Sequence, residues 1–403
     1  VGLKTAQGYG LAALEDGKPI IPTAVFFDFD EDKMLFGQKA VHQYIEGAEG
    51  RLLRAIKSIL GSNLMDEKTF IQDRQLSFRE IIGYILAHLK SEAEKSSGSK
   101  LQKVVLGRPV HFNDNDPKKD QRAQDILREV ALEQGFQQVE FQYEPIAAAL
   151  AYEQQSVRKE TLALIADIGG GTSDFSIIRL GTQSQDRKQD ILANAGVHIG
   201  GTDFDRKISM KEVMPYFGKG STVKTMTGGK IGLPVSYFND MATWHRINSL
   251  YSDDKRDTVE RFLRSTNHPQ QLQRFHTLMD FELGHLLNTR VEEQKQILSS
   301  QSSSILDLGF VEKGLNLELQ QTKSNQAIEE ELEKLGRVTA DILKQAGIKK
   351  TEIEAIFFTG GSTKIPILKK KIFDVIPQAE VIEGDAFGSV GYGLVIDAEQ
   401  KFS

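Results

Sequence analysis

Two α/β halves of similar element order, the second interrupted by an inserted subdomain, form the architecture this sequence predicts. Three observations carry the expectation. Strand-like and helix-like segments follow one another in a similar order within residues 1–155 and again from residue 161 onward. The second series opens on "DIGGGTSDFSIIRL" (167–180), a glycine turn between two β-prone runs. Each series ends in a stretch rich in small residues, the composition of helices that approach one another closely.

The first 155 residues begin with "GLAALEDGKPIIP", which reads as strand, turn and strand about Asp16-Gly17. A helix is expected near 78–96, then the strand "KVVLGRPV", a helix over "AQDILREVALEQG" and the strand "VEFQY". "YEPIAAALAYE" (143–153) places Pro145 at a first helical position, followed by Ala147, Ala148, Ala149 and Ala151. From 161 come the strand "TLALIAD", a second strand through Phe175, Ile177 and Ile178, and a third over "ILANAGVHI". A helix near 324–346, the strand "EAIFFT", the helix "KIPILKKKIFDVI" and a last helix near 387–400 complete the series. That last helix carries Gly388, Ser389, Gly391 and Gly393 at its start, a partner for the alanines to cross. Residues 203–300 read as the insert, so the expected divisions are 1–155, 156–386 and a closing helix in 387–403. No repeated sequence is visible between the halves; only the element order recurs.

The chemistry concentrates at the glycines. A tight hairpin rarely needs more than one residue at positive φ, so Gly169, Gly170 and Gly171 imply a ligand close to the backbone. The turn joins strand to strand and lacks a Lys-Ser/Thr pair or GxGxxG spacing, which argues against P-loop and Rossmann sites. What remains is a turn whose amides converge on an anion, with the Thr172 hydroxyl beside it and Asp167 and Asp174 on either flank. Two carboxylates next to a phosphate imply Mg²⁺ held largely through water. A plain glycine-rich hairpin is the alternative. Two more clusters join strand to helix: "VHIGGTDFDRKI" (197–208), with Thr202 or Asp203 as the expected N-cap, and "FFTGGSTKIP" (357–366).

Composition bounds the function classes. The 403 residues are 26% charged and 39% hydrophobic, and the formal charge of −6 gives no basis for a nucleic-acid surface. The basic run "LKKKIF" (368–373) reads as a solvated helix face. No apolar stretch approaches the roughly 20 residues that cross a bilayer, and no signal-like start is present, so a cytoplasmic location without membrane contact is expected. Cysteine is absent, which excludes disulfides and thiolate metal sites, and the eight histidines are scattered without metal-ligand spacing. The sequence opens at Val1 rather than Met, so a missing upstream segment is expected.

"DIGGGTSDFSI", "EPIAAALAY", "IGGTDFD", "VEEQKQILSS" and "TGGSTKIPILKK", in this order, resemble the ATPase domain of the heat-shock chaperones of the DnaK type, most closely the short YegD-like members. The resemblance extends from about Leu52 to the C-terminus. It implies the actin-like ATPase fold, two duplicated α/β lobes around a cleft that binds ATP or ADP with Mg²⁺. By that resemblance Gly169, Gly170, Gly171 and Thr172 hold phosphates, Gly200 and Gly201 line the nucleotide, and Asp167, with Asp174, holds hydrated Mg²⁺. Glu144 bonds water near the γ-phosphate, and Lys57 positions the attacking water. Glu292, Lys295 and Ser299 resemble the adenosine helix, Gly360, Gly361, Ser362 and Lys364 the adenosine loop, and Asp385 a ribose-side aspartate. The implied work is ATP hydrolysis that drives the lobes open and closed, in a monomer with protein clients or co-chaperones as partners.

Three departures qualify these expectations. The family's first phosphate loop, an Asp-x-Gly-Thr turn near the N-terminus, is missing from the sequence, Gln296 and Lys364 stand where arginines often face adenine, and no β-rich peptide-binding domain follows Ser403. A nucleotide-responsive scaffold without useful turnover is therefore the rival to the ATPase. A sugar kinase of the same fold would need an acceptor-activating aspartate that is not identified here, and an actin-like filament is a further alternative.

Overall fold

The computed structural model describes residues 1–5, 8–54, 60, 67–72, 74–113, 116–156, 159–182, 187–224, 228–382 and 388–403. The chain opens on a hairpin of β1 (Gly2–Thr5) and β2 (Gly8–Leu11) that the sequence reading did not foresee. The Asp16-Gly17 turn forms, with φ of 48° and 76°, but it closes a single bridge between Glu15 and Lys18 rather than joining two strands. Pro19 and Pro22 lack the amides a ladder needs. β3 (Ala24–Asp28) then lies between β4 (Lys33–Phe36) and β5 (Gly50–Arg54), with α1 (Gly37–Ile45) against it.

β6 (Lys68–Ile71) and β7 (Arg74–Ser77) lead into α2 (Phe78–Ser97). Ser77 and Glu80 form a reciprocal capping box at its start, the Ser77 amide donating to Glu80 Oε2 at 2.8 Å, and Gly98 ends it at φ 67°. β8 (Lys103–Arg108) pairs in parallel with β9 (Gln138–Tyr143) through α3 (Pro117–Glu133), whose Asp116 cap accepts from the amides of Lys118 and Lys119. α4 (Glu144–Ser156) follows at once, beginning at Glu144, so Pro145 is its second residue.

In the second half β10 (Thr161–Ile168), β11 (Ser173–Leu180) and β12 (Ile191–Val197) form an antiparallel meander, followed by α5 (Gly201–Ile208). Next come the hairpin of β13 (Thr222–Lys224) and β14 (Lys230–Gly232) and the helices α6 (Val235–Met241), α7 (Asp253–Leu263), α8 (Pro269–Asp280) and α9 (Gly284–Leu298). β15 (Ser303–Asp307) and β16 (Asn316–Gln320) form another hairpin. The helix expected at 324–346 is two helices, α10 (Gln321–Ala327) and α11 (Glu329–Ala346), divided at buried Ile328. Glu329, Glu330 and Glu331 favour the positive end of a new helix there. β17 (Ala355–Thr359), α12 (Pro366–Phe373), β18 (Glu380–Ile382) and α13 (Ser389–Phe402) complete the chain. On α12 the basic run is not simply solvated, because Lys371 pairs with Glu333 and Glu329 of α11.

The central sheet runs β12-β11-β10-β17-β18, with β10, β17 and β18 parallel. Element order does repeat: β1, β2, α2, β8, α3, β9 and α4 correspond to β10, β11, α11, β17, α12, β18 and α13, and both β8/β9 and β17/β18 are parallel. β10 is buried on both faces, as strands covered by helices are. Its alternate residues divide between two cores. Leu164, Ala166 and Ile168 join the large cluster that includes α11, whereas Ala163 and Ile165 pack with Ile146, Ala149 and Leu150 of α4 and Ile396 of α13.

α4 and α13 cross as their small residues foretold. A Cβ on Gly393 would fall 1.6 Å from the carbonyl oxygen of Ala147, so the two backbones touch. The first half also meets the second far from this crossing. Tyr44 of α1 packs edge-on against His285 of α9 (5.0 Å between centroids), and His285 packs against Trp244 (4.6 Å). The Arg54 guanidinium of β5 lies 4.3 Å above the Trp244 ring.

Candidate functional site

Three glycine turns meet at one end of the central sheet. The first, 169–172, closes the β10/β11 hairpin, with the Gly169 amide donating to the Thr172 carbonyl at 2.9 Å. None of its three glycines has positive φ, so backbone strain does not explain them. Space does. Gly170, Gly171 and Thr172 are exposed, and a Cβ on Gly170 or Gly171 would meet nothing within 4 Å, leaving the turn open on its outer side.

The second turn lies across the first. Gly201 and Thr202 donate their amides to the carbonyls of Gly169 and Gly170 at 3.0 and 2.8 Å, and the Thr202 hydroxyl also donates to Gly170 at 2.8 Å. A Cβ on Gly200 would lie 2.6 Å from backbone atoms of Gly170 and Gly171. The close approach requires glycine at 200, and Gly200, not Thr202 or Asp203, is the N-cap; Asp203 sits three residues on and accepts from the Gly200 amide at 3.1 Å. The third turn follows β17. Gly360 has φ 82°, and a Cβ there would lie 2.4 Å from the Ile168 carbonyl oxygen. A single 3₁₀ turn, Gly361–Lys364, intervenes before α12, and the Ser362 hydroxyl donates to the Gly169 carbonyl at 2.8 Å. The three turns thus lock on Gly169 and Gly170.

Beside them lies a face of carboxylates. Strand alternation puts Asp167 on the same side of β10 as Ile165, toward α4 and its first residue, Glu144. Asp174 is directly opposite Asp167 in the hairpin, and Thr359 opposite it on β17. Glu144, Asp167, Asp174, Asn194 and Thr359 line one narrow cavity. Asn194 and Thr359 escaped the sequence reading. The register with Asp167 marks Thr359, whose Oγ1 is buried with no hydrogen-bond partner among the described residues. The loop after β8 also reaches this cavity through Pro109 and Val110, anchored by buried Arg108, which pairs with Asp120 at 2.7 Å.

Glu292, Lys295 and Ser299 fall at spacings of three and four along α9 and its C-cap, on one helix face. Lys295 Nζ lies 3.0 Å from the Gly201 carbonyl and 2.8 Å from Asp205 Oδ2. The Ser299 hydroxyl donates to the Gln296 carbonyl at 2.6 Å. Gln296 and Lys364 are exposed. Lys57 and Asp385 lie outside the described residues.

The donor set suits the ligand the sequence implies. Open space above Gly170 and Gly171 admits an anion close to the backbone. The neighbouring carboxylate oxygens of Asp167 and Asp174 suit a hard cation such as Mg²⁺, which keeps several waters and takes one or two carboxylates.

A model of the family described as "Hsp70 protein" matches residues 5–227 and 270–397. The chain belongs to the Hsp70 family. Its fold is therefore the actin-like ATPase fold, and the match begins well before Leu52, within the β1/β2 hairpin. The chain is 28% identical over 393 residues to the chaperone protein DnaK of Thermosipho melanesiensis, covering 95% of this chain and 54% of that protein. It is 34% identical over 194 residues to DnaK of Thermotoga neapolitana, 48% of this chain and 30% of that one. With DnaK of Mycoplasmoides gallisepticum it shares 26% over 374 residues, 90% and 51% of the two chains. The chain thus spans about half the length of the curated relatives that it matches along most of its own length.

Proposed function

We propose that this Hsp70-family chain is a DnaK-like chaperone unit that binds ATP with Mg²⁺ at the glycine turns and hydrolyses it. The observation that carries this reading is the interlock of three glycine turns beside the face of Glu144, Asp167 and Asp174. The amides of Gly170, Gly171 and Thr172 would receive the phosphates, with Gly169 closing the turn that presents them and Gly200 and Gly201 lining the nucleotide. Asp167 and Asp174 would hold hydrated Mg²⁺, whose charge would offset that of the phosphates. Glu144 orients a water near the γ-phosphate, with Lys57 opposing the charge that develops on it. Glu292, Lys295 and Ser299 flank the adenosine from one side and Gly360, Gly361, Ser362 and Lys364 from the other, with Asp385 toward the ribose. Positioning and electrostatics supply the rate enhancement, without a covalent intermediate.

On this reading residues 1–155 and 156–386 are two lobes that close on the nucleotide, 203–300 is a subdomain of the second, and the helix in 387–403 packs back between them. The unit works as a monomer in the cytoplasm with protein clients or co-chaperones, without nucleic acid or membrane. Among the described residues no helix is long and apolar enough to cross a membrane. The test is twofold. Mg-ADP at about a hundred times its Kd should stabilise the fold by about 2.7 kcal/mol, read as a raised melting temperature. Glu144→Ala should slow single-turnover hydrolysis by about a hundredfold while leaving ADP affinity within a few fold. A flat melting curve refutes binding; stabilisation without measurable turnover in the parent favours a nucleotide-responsive scaffold.

A further inference from the structure

Lys295 is not placed as a free adenosine ligand. Its ammonium is held between the Gly201 carbonyl (3.0 Å) and Asp205 Oδ2 (2.8 Å), with only 12% of its side chain and 15% of that of Asp205 exposed. Gly201 is the residue whose amide reaches the Gly169 carbonyl, and a Cβ on it would lie 3.3 Å from Lys295 Nζ and 2.7 Å from Ser362 Oγ. The ammonium therefore bears on the point where the second glycine turn rests on the first. Asp205 has one oxygen on Lys295; the other, Oδ1, is buried with no hydrogen-bond partner among the described residues. A buried carboxylate so placed depends on one cation for its charge.

We infer that Asp205 is a positioning residue, which fixes Lys295 on the Gly201 carbonyl and so holds the second glycine turn against the first. Its consequence for nucleotide affinity rests on the function proposed above. The geometry of the turns does not. Burial pushes the Asp205 carboxyl up from 3.8 to about 6; Lys295 pulls it down, Glu292 adds to the rise and Arg54 of β5 opposes it. Along α5 itself Asp203 pairs with Arg206 at 3.5 Å, and Lys207 pairs with Glu330 and Glu331 beyond the site. Asp205 is thus ionised at neutral pH and takes up a proton as pH falls through about 6, releasing Lys295 and loosening the turn.

Amide hydrogen exchange on the ligand-free protein tests this directly. Asp205→Asn should exchange the amides of Gly201 and Thr202 about tenfold faster at neutral pH, with α13 unchanged. After correction for intrinsic chemistry, the parent should lose protection there as pH falls through about 6, whereas the variant should show no such step. Mg-ADP should bind the variant about tenfold more weakly at neutral pH, the difference closing in acid. Unchanged exchange at Gly201 and Thr202 overturns the inference whatever the nucleotide does. A parent that binds no Mg-ADP, with exchange altered as expected, retires the nucleotide reading and leaves the positioning role intact. Should Asp205→Asn not fold, Lys295→Met and Lys295→Arg carry the test: Met should loosen the turn and Arg should retain its protection, and equal exchange in the two overturns the role.

Discussion

Two glycines a short distance apart in space do different work. Gly200 is glycine because a methyl group there would collide with the backbone of Gly170 and Gly171, while Gly170 itself faces open space. Overpacking of this kind costs about 1–3 kcal/mol when only backbone can yield. Gly200→Ala should therefore lower the melting temperature and weaken Mg-ADP together. Gly170→Ala should leave the melting temperature of the ligand-free protein nearly unchanged, so any loss of affinity there reports on the ligand itself. Differential scanning fluorimetry with and without Mg-ADP separates the two. The first turn was legible in the sequence because all its parts lie within a few residues of one another. The Asp205–Lys295 pair was not, since its members are 90 residues apart and nothing local in "TDFDRKI" selects the second aspartate. The N-cap was misplaced for a related reason: side-chain propensity favours Thr202 or Asp203, but the constraint on Gly200 comes from another loop.

Among the elements, the crossing of α4 and α13 is the tightest contact described. Gly393 sits against the Ala147 backbone, whereas a Cβ on Gly391 would meet the flexible Leu11 side chain at 3.1 Å. Gly393→Ala should therefore destabilise the fold by about 1–3 kcal/mol or more, and Gly391→Ala by much less, as read from urea midpoints at constant m-value. Runs of small residues foretold this crossing because close helix approach is written in composition. Helix limits were less legible. The division between α10 and α11 depends on Ile328 being buried at the break, and the β1/β2 hairpin carries no strong turn signal in "KTAQGYG".

For the molecule as a whole, the Tyr44, His285 and Trp244 cluster ties the first half to the helical region of the second. His285 Nε2 lies 3.0 Å from the Trp244 carbonyl, which only accepts, so the proton is on Nε2 and Nδ1 accepts from the Tyr44 hydroxyl at 3.2 Å. Burial lowers the imidazole from 6.5 to about 4; the bond to the Trp244 carbonyl works against the shift and the Arg54 charge with it. The unfolded chain takes up this proton first as pH falls. His285 therefore gives its full contribution above about pH 6.5 and loses it progressively toward pH 4, about 3 kcal/mol over the whole interval. Relative to the parent, His285→Gln should flatten that part of the stability–pH curve, measured by urea unfolding across the range. The same cluster has a practical consequence. Trp244 is the protein's one tryptophan, and its ring lies under a guanidinium from the other half of the chain. Its emission is a built-in optical gauge of that gap. Separation of Arg54 from the indole would change the ring's polarity and access to quenchers, so the lobe opening proposed above can be tested in a stopped-flow fluorimeter without attaching any dye.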